Sequence, residues 1–197
     1  MPEAHETLEH SEHIEHASHG NKGIALLISV LALFLALSET LGKSAQTAAI
    51  TYNVQANDDW AYYQAKTIRM GQVQTAADTM ALLAAQTADP AIKAAQAKQI
   101  EAWRKEAARN NDEPGHNGRK QLMEKALASE EHRETAMARY HHYEFASAAF
   151  QIGIVLASAT IITGTIALGW IAGGLGIIGL GFMAIGYFAP HVVHLVG

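Results

Sequence analysis

The chain has 197 residues, of which 49% are hydrophobic and only 17% are charged, with a mean hydropathy of +0.02. Soluble domains carry about 25% charged residues, and no Asp, Glu, Lys or Arg follows Glu144, which excludes an ordinary soluble globule. The net charge of −5 argues against nucleic-acid binding. A sequence without cysteine excludes disulfides, thiolate metal sites and cysteine nucleophiles.

The first segment, residues 1–22, is a polar tail rich in histidine and glutamate. Four histidines recur at three-residue steps and are candidate ligands of a divalent transition metal: His10, His13, His16 and His19. A three-residue step drifts about 60° around a helix, so only neighbouring pairs share a face. The alternatives are a solvated tail and a partner-binding segment that becomes cationic below a pH of about 6.5.

Residues 23–42 are predicted to form the first transmembrane helix. The 18 residues from Ile24 to Leu41 would rise about 27 Å as a helix, close to the ~30 Å hydrocarbon thickness of a bilayer. The tripeptide Ala36-Leu37-Ser38 is similar to a signal-peptide cleavage site. A signal peptide has a basic start, whereas an acidic segment precedes this run, so a retained anchor is predicted.

Glu39 is the one ionisable residue inside a predicted span, where charged groups are costly and often functional. Lys43 follows four residues later, so we expect an ion pair on one helix and a Glu39 side chain that faces another helix. Small residues share the face of Glu39: Ala25, Ser29, Ala32 and Ala36. In an oligomer packed through that face, the carboxylates would form the acidic ring of a cation-conducting pore.

Residues 43–147 are predicted to form a soluble helical domain, a long stalk or hairpin between the first and second spans. This segment has 13 Lys or Arg and 13 Asp or Glu, and its Ala-, Gln-, Lys- and Glu-rich composition favours helix. Asp89-Pro90 predicts an N-cap and a proline at the first helical position. Residues 111–118 predict a loop. Three helices are expected, at about 44–88, 90–110 and 119–148, with Gly71 as a candidate break in the first.

Residues 148–190 are predicted to form a transmembrane helical hairpin, and residues 191–197 a C-terminal tail. The uncharged run is too long for one span and suits two, with a turn expected near Gly169-Trp170. A buried soluble hairpin is the alternative, but it would lack a solvated face. Small residues along both helices suit close packing in lipid, and ten glycines among the last 53 residues favour a homo-oligomer.

Four histidines lie near the predicted ends of these two spans: His141, His142, His191 and His194. A turn at residues 168–169 would set position 142 level with position 195, so His142 and His194 should lie at similar depth. Interfacial histidines are commonly amphipathic anchors, and a shared polar or metal site is the alternative.

Four stretches resemble a bacterial family of membrane proteins of unknown function, the family numbered 4337. They are KSAQT at 43–47, WAYYQAK at 60–66, RYHHYE at 139–144 and APH at 189–191. The likeness covers nearly the whole chain. The resemblance implies a bacterial membrane protein without an assigned reaction, substrate or cofactor, and it transfers no catalytic residue to this chain.

The expected protein is all-α, with three transmembrane helices in the bacterial inner membrane. Cationic residues near the span ends place 43–147 in the cytoplasm, since three lie on that side and one on the other. We expect a homo-oligomeric assembly or scaffold protein without enzymatic activity or a cofactor, whose partners are the lipid bilayer and its own copies. An oligomer that conducts ions or solutes and a metal-binding membrane protein are the alternatives.

Overall fold

The computed structural model describes the backbone of residues 3–192 and the side chains of residues 22–192. Four helices follow one another, and this described part of the chain contains no strand: α1 (Glu3–Gln86), α2 (Pro90–Asn111), α3 (Arg119–Thr163) and α4 (Ile166–Phe188). The all-α prediction is therefore confirmed. By length and composition α1, α3 and α4 are each long and apolar enough to cross a membrane, in agreement with the three predicted spans.

The boundary between α1 and α2 lies where the turn residues predict it. Asp89 is the N-cap of α2, and its carboxylate accepts hydrogen bonds from the backbone N–H groups of Ala91 (2.8 Å) and Ile92 (3.4 Å). Pro90 occupies the first helical position, where its missing N–H has no helical partner to lose. The candidate break at Gly71 is not used, since α1 continues through it to Gln86.

The loop between α2 and α3 is held by the side chains that flank it. Asp112 accepts hydrogen bonds from Lys120 Nζ and Gln121 Nε2, both at 2.8 Å. The Gln121 Oε1 in turn accepts the backbone N–H of Glu113 at 3.2 Å. Gly115 has a φ of +79°, a left-handed conformation that glycine adopts without steric cost. The predicted loop is confirmed.

The turn between α3 and α4 lies earlier than the sequence suggested. The prediction placed it near Gly169-Trp170, but α3 ends at Thr163 and α4 begins at Ile166. Gly164 has a φ of +69° and its N–H bonds to the Thr160 carbonyl at 2.9 Å, as in a glycine-terminated helix. The registry of the two helices is shifted for the same reason: the Cβ of His142 lies beside Gly186, and its Nε2 reaches the Pro190 carbonyl. Position 195, which the sequence placed level with His142, lies outside the described residues.

The chain divides into two compact units: unit 1 comprises residues 1–48 and 135–197, and unit 2 comprises residues 49–134. In unit 1, the core forms where α1, α3 and α4 meet, around Leu31, Ala146 and Phe150. Glycines admit the large side chains, since a Cβ at Gly179 would come within 2.6 Å of the Phe150 ring. The predicted small-residue stripe of the second span is buried within the chain at Ala146, Ala149, Gly153, Ala157 and Thr160.

In unit 2, α2 and the first part of α3 pack against α1. Trp60 Nε1 on α1 donates to the Glu130 carboxylate at 2.9 Å, and Arg69 on α1 forms an ion pair with Glu106 on α2 at 3.1 Å. The buried apolar side chains of this unit are small apart from Leu122: Ala49, Ala56, Ala77, Ala107 and Ala126.

Candidate functional site

Glu39 makes its polar contact with a neighbouring helix, as expected, but the predicted ion pair with Lys43 is not formed. Its Oε1 accepts a hydrogen bond from Gln151 Nε2 on α3 at 3.3 Å. Among the side chains of residues 22–192 no ion pair joins Glu39 to Lys43. The Gln151 amide is the nearer partner on the adjoining helix, and both Glu39 and Lys43 are exposed.

The face that Glu39 shares with small residues is open in a single copy of the chain. All four small residues on it are exposed, as are Glu39 and the neighbouring Thr40: Ala25, Ser29, Ala32 and Ala36. A hydrogen-bonded carboxylate and amide thus lie on the outer surface of an apolar unit. In a unit that crosses a membrane, a charged side chain almost always faces the interior of a helix bundle or a water-filled cavity. Such a surface would therefore favour contact with a further helix.

A buried hydroxyl ties α1 to α3 one residue before Glu39. Ser38 is fully buried, and its Oγ donates to the Tyr143 carbonyl at 2.9 Å. Other hydroxyls of α1, such as Ser29 and Thr40, donate to a carbonyl of their own helix four residues earlier. Ser38 therefore provides a bond between helices that most serines in a helix do not make.

His142 is the most deeply buried titratable side chain among the described residues of unit 1, with 1% of its surface exposed. Its Nε2 lies 3.1 Å from the Pro190 carbonyl, and because a carbonyl only accepts, Nε2 carries the hydrogen. The buried Nδ1 has no hydrogen-bond partner. Gly186 makes room for this arrangement, since a Cβ there would come within 2.9 Å of the His142 Cβ. His142 thus anchors the end of α4 to α3.

The other histidines near this end of unit 1 have separate partners. His141 Nδ1 lies 3.6 Å from the Glu144 carboxylate, and His191 Nε2 lies 3.0 Å from the Thr135 hydroxyl. The described side chains contain no group of three or more metal-ligating residues. His194 lies outside the described residues, so the expected depth match with His142 stays a prediction.

The tail histidines also lie outside the described side chains. Metal capture by His10, His13, His16 and His19 therefore remains a prediction from the sequence alone.

Two contributors to this site went unnoticed in the sequence, Ser38 and Gln151. Gln151 had a detectable signal, because it is the one amide side chain after Glu144 in a run without charge. Ser38 had none, because a serine in an apolar helix commonly bonds to its own backbone.

Unit 2 presents a different kind of candidate surface, made of large apolar side chains that no described residue covers. Those at least half exposed are Ile50, Val54, Ile68, Leu82, Leu83, Ile92 and Leu127. An apolar groove of about 690 Å³ lies between α1 and Trp103 of α2, bounded by Gln72, Thr79 and Leu83. Extended exposed apolar surface on a segment rich in charged residues commonly marks a binding surface.

The model of one protein family, described as a domain of unknown function (DUF4337), matches residues 20–189. No curated protein and no solved structure matches the chain. The family match covers α1 from residue 20 onward, all of α3 and α4, and all of unit 2.

Proposed function

The chain belongs to the DUF4337 family, which carries no assigned reaction, and we propose that it is a membrane-anchored, homo-oligomeric assembly or scaffold protein. In this proposal unit 1 lies in the bacterial inner membrane, crossed by the apolar parts of α1, α3 and α4. Unit 2 lies in the cytoplasm and binds other copies of the chain. The protein then organises a membrane surface and has no catalytic role of its own.

The observation that carries this proposal is that unit 2 buries small side chains and exposes large apolar ones. Alanines such as Ala77 and Ala126 fill its interior at 1% and 0% exposure, while Leu82 and Ile68 are 71% and 62% exposed. Burying a leucine side chain from water is worth about 2 kcal/mol. Residues 43–147, which include unit 2, carry 13 cationic and 13 anionic residues, so unit 2 is expected to lie in water. A further protein surface is then needed to cover these exposed side chains.

The experiment is to measure the mass of the full chain in a mild detergent by light scattering over a hundredfold range of protein concentration. We expect a complex of two or more copies that persists on dilution. A mass that corresponds to one copy throughout would overturn the proposal.

A second function, an oligomer that conducts ions or solutes, is favoured by one contact. The Glu39–Gln151 hydrogen bond lies on the exposed surface of the apolar unit. Packing of several copies around that surface would line a path with carboxylates, as in cation-selective pores. Ion flux through reconstituted liposomes separates the two functions. A pore predicts flux that the Glu39→Gln variant loses and the Glu124→Gln control keeps, whereas a scaffold predicts flux no greater than that of protein-free liposomes.

A further inference from the structure

The side of α1 that faces away from the packed alanines of unit 2 is an uninterrupted uncharged surface. With about 100° of rotation per residue, thirteen residues between 50 and 86 lie within one arc of about 100°. We call them the outer stripe: Ile50, Val54, Asn57, Ala61, Gln64, Ala65, Ile68, Gln72, Thr75, Thr79, Leu82, Leu83 and Gln86. All thirteen are exposed and none is charged.

The missing charge is specific to this side of the helix. Between residues 50 and 86, α1 carries five charged residues, and every one lies outside the arc: Asp58, Asp59, Lys66, Arg69 and Asp78. The buried positions Ala56 and Ala77 lie on the other side, 1–3% exposed. A solvated helix face normally collects the charges, so the outer stripe has the pattern of a second packing face.

We propose that the outer stripe binds the outer stripe of a second copy, so that the α1 helices of two copies form a parallel, in-register pair. This inference rests on the proposed function, because it requires both copies to be anchored in one membrane by the same first span. Two α1 helices that leave one membrane in the same direction present the same residue numbers at the same height. The contact is therefore isologous, with each residue facing its own counterpart.

The polar residues of the outer stripe fit a second copy better than a foreign partner. Asn57, Gln64 and Gln72 have amide side chains, which both donate and accept hydrogen bonds, so two identical amides can bond across a two-fold axis. Single polar residues within a parallel helix pair fix its register and copy number. Charged residues could not face their own counterparts without repulsion, and the outer stripe has none.

The size of the outer stripe meets the requirement for a specific contact. The helix from Ile50 to Gln86 extends about 54 Å, and a helix is about 10 Å wide, which gives about 540 Å² per copy. The total of about 1,100 Å² exceeds the ~1,000 Å² expected of a biological interface. The groove beside Trp103 adjoins the stripe at Gln72, Thr79 and Leu83, so the second copy can also seat side chains there.

Cysteine cross-linking tests the register directly, because the natural sequence has no cysteine. The variants Val54→Cys, Ile68→Cys and Leu82→Cys are oxidised in native membranes with copper phenanthroline. A disulfide needs Cβ atoms about 4 Å apart, which a parallel in-register pair provides at each position. We expect cross-linked dimer at least tenfold above the matched controls Gln55→Cys and Ala85→Cys, which are exposed but lie off the stripe.

A second variant tests whether the stripe itself provides the contact. Ile68→Lys places two ammonium groups against each other, and we expect it to reduce the cross-linking of the Val54→Cys variant at least fivefold. The control Gln55→Lys should leave that cross-linking unchanged. Ile68 is 62% exposed, so the helical content measured by circular dichroism should not change in either variant.

Each remaining outcome overturns the pairing. Cross-links that form when Val54→Cys and Leu82→Cys chains are mixed, but not in Val54→Cys alone, would indicate an antiparallel pair. Equal cross-linking of stripe and control positions would indicate random collision. An oligomer by light scattering without stripe cross-links would overturn the pairing and leave the proposed function standing, whereas a single-copy mass would overturn both.

Discussion

Unit 1 and unit 2 bury opposite kinds of side chain, although both are built from helices that pack along α1. In unit 1, Phe150, Leu31 and His142 are almost fully buried, and glycines open the space for them. In unit 2 the interior consists mainly of alanine, and the leucines and isoleucines of α1 point outward. In the function proposed above, unit 1 lies in lipid, where an exposed leucine costs nothing because lipid tails are equally apolar. Unit 2 lies in water in that proposal, so there an exposed leucine indicates a surface that a partner covers.

The largest expected effect is in the core of unit 1. Phe150 has no exposed surface and its ring lies 6.0 Å from that of Phe34. We expect Phe150→Ala to reduce the free energy of unfolding by about 3–5 kcal/mol, because the packed helices cannot close the cavity. Unfolding by SDS titration in a mild detergent measures this change. Phe188→Ala is the control, since Phe188 is 81% exposed, and an equal loss in both variants would contradict the assigned core.

A pair of glycine variants tests which glycines of α4 leave room for a side chain of a neighbouring helix. In Gly179→Ala the new Cβ would lie 2.6 Å from the Phe150 ring, so we expect a loss of about 1–3 kcal/mol from overpacking. In Gly173→Ala the new Cβ would meet nothing within 4 Å, so the usual helix preference should give a gain of about 0.5–1 kcal/mol. The same SDS titration reads both changes. Two effects of the same sign would contradict the packing of α4 against α3.

The bond between Ser38 and the Tyr143 carbonyl should have a smaller effect. We expect Ser38→Ala to lower the free energy of unfolding by about 1 kcal/mol, because a buried hydrogen bond between helices is lost. Ser29→Ala removes a hydroxyl that bonds only to its own helix and is exposed, so it should change stability by less than about 0.5 kcal/mol. Equal stability of the two variants would show that the bond between helices contributes nothing.

The smallest effect concerns the loop of unit 2 and depends on pH. Hydrogen bonds from Lys120 and Gln121 lower the pKa of the Asp112 carboxyl below its usual value. A lowered pKa in the folded state stabilises the protein above the pKa of the unfolded state, and this contribution is lost as the pH falls through the folded-state value. We therefore expect Asp112→Asn to reduce the melting temperature slightly at pH 7.

The matched measurement is made at acid pH. The difference between Asp112→Asn and the natural protein should shrink as the pH is lowered toward about 3, where an aspartate carboxyl is increasingly protonated. A difference that stays constant over this whole range would show that the charge of Asp112 has no part in holding the loop.

The sequence by itself determined the features that obey local rules. The helical character, the three apolar helices, the cap at Asp89 and the loop after Asn111 follow from propensity, apolar length and turn chemistry, each contained within a few neighbouring residues. The match to the family model likewise confirms a resemblance that four short stretches carried.

Only the tertiary structure decided which helix faces meet. The partners Glu39 and Gln151 are 112 positions apart, and Ser38 and Tyr143 are 105 apart. The rotation of one helix against another depends on packing between such distant residues, and no local pattern encodes it. The same holds for the turn at Gly164, because a charge-free run has many glycines that could end a helix. The outer stripe could not be recognised in the sequence either. Only the structure shows that the alanines of α1 are buried and that the opposite side of the helix is exposed.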